Sequence, residues 1–140
     1  IKIYMNNKKG NSYMKQEWEV ILQDPLLNWL KTLAEDDVLK IYAGLELLST
    51  EGPQLSRPYA DTLQSSKYTN LKELRVQSKL SVFRLFYIFD PVRQAIVLCG
   101  GDKKGKKEKL FYKEMIALAE QTYDDYLSEL TKEQENEREI

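Results

Sequence analysis

Two arginines in neighbouring apolar segments, Arg75 in LKELRVQ and Arg84 in VFRLFYIF, are the residues that packing explains least. If the segments form one hairpin with a two- or four-residue loop, either register sets Arg75 directly across from Arg84. Like charges facing each other destabilise a sheet unless an anion lies between them. Two guanidinium forks suit the paired oxygens of a phosphate. The plainer reading is that both arginines lie on a wetted face and pair with Glu73. A second basic group is GGDKKGKKEKLFYKE, residues 100–114, whose six lysines surround the aromatic pair Phe111-Tyr112. Ammonium groups attract phosphates and a tyrosine ring stacks on a base, a combination suited to single-stranded RNA. On the next hairpin Gly100 or Gly101 falls beside Arg84, where a missing side chain lets a ligand or backbone come close.

The rest of the composition narrows the chemistry. The 140-residue chain has no histidine and one cysteine, Cys99. That excludes Ser-His-Asp and Cys-His nucleophile systems, imidazole bases, His-ligated metals, internal disulfides and multi-thiolate clusters. Proton transfer is left to Lys, Arg, Tyr, Asp or Glu. The formal charge is only −1, but it is unevenly spread. Residues 57–113 carry 13 basic against 5 acidic side chains, whereas 114–140 carry 2 against 9. Such asymmetry points to contact with a polyanion. Residues 100–106 also match GxxxxGK, but Lys107 stands where a phosphate-loop NTPase needs Ser or Thr, so that reading is rejected.

These residues need a scaffold, and the pattern predicts one. A strand over 17–22 carries Trp18, Val20 and Leu22 on one face. Asp24-Pro25 reads as the N-cap and first position of a helix over 25–34. A second helix starts at Asp36 or Asp37 and ends at Gly52-Pro53, the two forming a hairpin. Residues 53–70 hold two prolines and read as an extended connection. Strands follow at 71–77, 82–89 and 95–100, joined by tight turns as a meander. Phe83, Tyr87 and Phe89 read as packing. A last helix runs from about Leu110 to Leu130. The expected class is α+β, with helices on one face of a mainly antiparallel sheet. Residues 1–13 are set aside as an extension, with Met14 a candidate start. Residues 14–130 form the domain, and 131–140 an acidic tail that frays. One cysteine and no apolar export or membrane-spanning segment fit the cytoplasm.

RPYADTLQSSKYTNLKELRVQ, FRLFYIFDPVRQAIVLCGGDKKG and FYKEMIALAEQTYDDYLSEL together resemble the HigB-type toxins of the RelE/ParE superfamily. The resemblance covers about residues 14–130. It implies a RelE-like fold and a metal-independent endoribonuclease without cofactor, cutting mRNA in the ribosomal A site. It also implies silencing by a HigA-like, helix-turn-helix antitoxin, through which alone DNA is met. By position, Arg75 and Arg84 fall where such toxins bind phosphate. Lys103 or Lys104 matches the basic residue after the last strand, and Tyr112 the aromatic at the site. Attack by the 2′-hydroxyl needs a base, and either Glu73 or one of Lys103 and Lys104 is the candidate. Lys72, Lys106, Lys107, Lys109 and Lys113 are the expected RNA contacts. Relatives of the ParE type share the fold but inhibit DNA gyrase by protein contact, which is the alternative, as is an inactive phage remnant.

Overall fold

A computed structural model describes residues 2–3 and 17–138. Six strands and three helices follow in the order β1 (Lys2–Ile3), β2 (Glu19–Leu22), α1 (Asp24–Leu30), α2 (Glu35–Glu51), β3 (Ala60–Thr62), β4 (Lys72–Gln77), β5 (Val82–Phe89), β6 (Gln94–Asp102) and α3 (Glu108–Arg138). One sheet orders the strands β1-β2-β6-β5-β4-β3. All pairs are antiparallel except β2 with β6. The α+β class and the meander β4-β5-β6 agree with the expectation from sequence.

The helices do not share a face of the sheet. Val20, Leu22, Leu74, Leu85 and Tyr87 pack with Leu26, Leu30, Ile41 and Leu45 of α1 and α2. Ile21, Phe86, Ile88 and Leu98 pack on the other side with Phe111, Ile116 and Ala119 of α3. The expectation of helices on one face is therefore corrected. Successive residues of a strand point to opposite faces, and β5 buries both its sets, so each side needs a cover. A bulge between Phe86 and Tyr87 in the β5-β6 register lets Leu98 and Cys99 face α3 together.

Local differences have local causes. Asp24 lies inside the first turn of α1, and Gln23 is the N-cap residue, without a side-chain cap. The helix stops at Leu30 rather than running to 34. α2 opens on Glu35, Asp36 and Asp37, favourable charges at a helix N-terminus, and closes on Gly52 at φ 58. β3, inside the segment read as a connection, is only three residues long and is held by backbone pairing to β4. It carries no periodicity that could announce it. α3 starts two residues before Leu110 and continues past Leu130 to Arg138, so the segment read as a frayed tail is helical over 131–138. Lys2 and Ile3, within the segment set aside as an extension, pair with Ile21 and Val20 of β2. Met14 and the remainder of 4–16 lie outside the described residues. No described helix is long and apolar enough to cross a membrane.

Candidate active site

β4 and β5 pair so that Arg75 faces Arg84, and Arg84 in turn faces Gly101 of β6. Leu74 and Val76 turn to α1 and α2, which sends Glu73 and Arg75 to the side of α3. The anion between the two arginines is part of the chain. Glu73, only 3% exposed, lies two residues from Arg75 on the same face. Arg75 Nε donates to its Oε2 at 3.0 Å, and Arg84 Nε stands 3.6 Å from its Oε1. Tyr112 of α3 donates its hydroxyl to the same Oε1 at 2.6 Å. Arg84 also donates from Nη1 to the Phe83 carbonyl at 3.0 Å. One buried carboxylate thus gathers both arginines and the tyrosine.

This cluster floors a cleft of about 670 Å³ between β3, the loop after it and α3. Lys103, Lys109 and Lys113 line it with Arg75 and Tyr112. The Lys103 ammonium binds Glu108 at 2.8 Å and lies 5.5 Å from the centre of the Tyr112 ring. That ion pair holds the Glu108 carboxyl below its ordinary value. Asp102 fixes the loop by accepting the backbone N–H groups of Val82 and Lys104, both at 3.0 Å. Gly105, at φ 74, supplies the left-handed turn into α3.

Among the sequence-predicted residues, Glu73, Arg75, Lys103, Lys109, Tyr112 and Lys113 line one cleft, with Arg84 behind Glu73. Others separate from them. Lys72 has the parity of Leu74, donates to Thr62 Oγ1 at 2.9 Å, and is not among the cleft-lining residues. Lys106 and Lys107 border a different groove, beside Trp29 and Leu110. Lys104 lines neither. A run of lysines rounding a turn cannot keep all its charges on one side. Gly100 and Gly101 make room for the chain's own helices rather than opening on the cleft. A Cβ at Gly100 would meet Trp29 of α1 at 2.6 Å, and one at Gly101 would meet Phe111 and Met115 of α3 at 3.2 and 3.3 Å. The two glycines seat helices on opposite faces.

Sequence reasoning missed Asp61, which is paired with Arg57 at 2.9 Å and Arg75 at 3.3 Å. The hydrogen bond from Arg57 holds its carboxyl below the usual carboxylate range. Its only signal was its place in RPYADTL, two residues beyond the cis Arg57-Pro58 bond and Tyr59.

Tyr112 carries a measurable signature of this setting. Burial first, and then the hydrogen bond to Glu73, push its hydroxyl up to about 12. The folded chain therefore holds this proton more tightly than the unfolded one. The resulting stability is whole below pH ~10 and lost as pH rises towards 12. Tm should fall more steeply through that window in the native protein than in Tyr112→Phe. Tyr126, also pushed up to about 12 by burial, acts in both and cancels. Equal slopes would show that the phenol is not held as described.

Comparison with known proteins finds relatives over most of the chain. Residues 28–124 match the family model described as phage-derived protein Gp49-like. The chain belongs to the Gp49-like family. Over 109 residues this Gp49-like chain is 37% identical to "Putative toxin HigB3" of Mycobacterium tuberculosis (strain ATCC 25618 / H37Rv), a match covering 78% of the chain and 93% of that protein. It is also 37% identical over 102 residues to "Putative toxin HigB2" of the same organism, covering 72% of the chain and half of that longer protein. Those relatives group the Gp49-like chain with the HigB-type toxins. The matched span takes in every element from α2 to the middle of α3, and so the whole cleft.

Proposed function

We propose that the protein is the toxin of a type II toxin–antitoxin module and a metal-independent endoribonuclease acting on mRNA in the ribosomal A site. The observation that carries this reading is the Arg75–Glu73–Arg84 cluster, joined by Tyr112 and rimmed by lysines at the floor of one cleft. A HigA-like antitoxin is the partner that would silence it.

RNA supplies its own nucleophile, so the protein needs to hold the phosphate, take the 2′ proton and protonate the leaving 5′ oxygen. Arg75, with 31% of its side chain exposed, reaches the cleft directly, whereas Arg84, at 12%, supports it from behind. Glu73 is too buried to meet a ribose, but Tyr112 bridges it to the cleft. The 2′ proton passes to the Tyr112 oxygen as the phenolic proton passes to Glu73. Tyr112 thus stays neutral overall and Glu73 is the base acting through it. Lys103, on the same rim, donates a proton to the leaving oxygen. The products are a 2′,3′-cyclic phosphate and a 5′-hydroxyl.

The test is inducible expression with mapping of cut transcripts and their ends. Native protein should arrest growth and leave cyclic-phosphate ends. Arg75→Ala should lower cleavage roughly 10²–10³-fold, the usual effect of losing one donor to a developing oxyanion, and Arg84→Ala should lower it through loss of the group that holds Glu73 in place. Lys72→Ala, on the far face, should leave cleavage within about twofold, as surface changes away from a site do. Full cleavage by either arginine variant would end the site assignment. Intact transcripts with DNA damage would turn the reading to gyrase.

A further inference from the structure

The cleft has two chemically different ends. Its first end holds Arg75, Lys103, Lys109 and Lys113, with Asp61, Glu73 and Glu108 paired to two of them. Its second is formed by Leu63, Ile116 and Ala117, with Gln64, Ser65 and Glu120 at the rim. The two walls run from the first end to the second side by side. Along β3, Asp61 contacts Arg75, and the chain then leads through Thr62 to Gln64. Along α3, Tyr112 contacts Glu73, and two further turns lead to Ile116 and Glu120. The helical path from Tyr112 to Ile116 and Ala117 is about 6–8 Å at 1.5 Å per residue. The apolar residues therefore lie one turn beyond Tyr112, where the base of a nucleotide held by its phosphate at the cationic end could reach them.

The second end is held open by bonds that the phosphate-binding end does not need. Glu120 Oε2 accepts the Ser66 hydroxyl and the Lys67 backbone N–H, both at 2.8 Å. Asp124 accepts Lys67 Nζ at 2.8 Å and also the Tyr68 hydroxyl. Tyr68 meets the Tyr123 ring edge-on at 4.9 Å. Carboxylates of the acidic block thereby fasten the loop after β3 to α3, at the place where Gln64 and Ser65 border the opening. A fixed wall with an apolar floor and an amide at its rim is built to receive a flat ring and read its edge.

We infer that the end of the cleft at Leu63, Ile116 and Ala117 is a nucleobase pocket, and that Gln64 is its specificity-determining residue. This rests on the proposed RNA substrate. The cationic end takes the phosphate without regard to sequence. The Gln64 amide offers a donor and an acceptor in one plane, the pair that distinguishes base edges. Glu120 and Asp124 are positioning residues, acting through the loop.

The test measures binding without cleavage. The probes are RNA trinucleotides with 2′-deoxy sugars at the first and central positions, so that neither link has a nucleophile and neither can be cut, varied one base at a time. Native protein should prefer one base at one position by about tenfold, the worth of one well-placed amide pair. Gln64→Ala should reduce that preference to within about twofold, and because Gln64 is exposed its Tm should not move. Lys113→Ala should weaken all trinucleotides alike, as a phosphate contact does. Equal binding of every trinucleotide by the native protein, or a preference unchanged in Gln64→Ala, would overturn the inference. Base-selective binding lost in Gln64→Ala while transcripts stay uncut would uphold the pocket and remove the proposed activity.

Discussion

Replacing Glu73 by alanine should destabilise the protein by about 3–5 kcal/mol, the cost of leaving a buried charge without its partner. Among the described residues the carboxylate is the one anion ion-paired with Arg84, at 3.6 Å, and Arg84 faces Arg75 across the β4-β5 ladder. Without it, two guanidinium groups oppose each other in a sheet, one of them with only 12% of its side chain exposed. Tyr112 would lose its acceptor at the same time. Urea denaturation should show a lower midpoint with an unchanged slope. The double variant Glu73→Leu, Arg84→Met should regain most of the loss, since apolar replacement of a whole buried pair is often neutral or better. A single-variant loss below about 1 kcal/mol would mean that the cluster is wet and the arginines need no internal counter-ion.

Gly100→Val should cost about 3 kcal/mol, the upper part of the overpacking range. The first added carbon would already lie 2.6 and 2.7 Å from the Trp29 ring and 3.2 Å from Leu26. An indole cannot fold aside as the end of a flexible chain can, and this one is held edge-on to Phe83 at 5.4 Å. α1 would have to lift from β6. Chemical denaturation again checks it, and Trp fluorescence should shift as the ring moves. A loss under about 1 kcal/mol would show that α1 is loosely seated.

The strands were legible because their evidence is local. Alternating apolar residues and short turns define β4, β5 and β6, and the register opposing Arg75 to Arg84 follows from the loop between Ser78 and Ser81. Glu73 and Tyr112 were legible as residues but not as a bonded pair, since 39 positions separate them. What failed needs the third dimension. Whether α3 covers the same face as α1 or the opposite one depends on a crossover that periodicity does not encode. Once that is known, Lys72 drops out by strand parity, and Gly100 and Gly101 become seats for helices. β3 was hidden because three residues near two prolines leave no pattern, and Asp61 was hidden with it.

The parallel pairing of β2 with β6 has a consequence for when the molecule comes into being. Val20 and Ile21 pair with Ala95 and Ile96, so β2 waits for most of the chain before it has a neighbour on that side. Contacts this distant in sequence slow folding, and a growing chain emerges from its N-terminal end. The hairpin that opposes Arg75 to Arg84 can close earlier, but Tyr112 and the lysines of α3 come last. The cleft is therefore among the last parts to exist, and a nascent chain that already holds both arginines has nowhere to use them until α3 has followed.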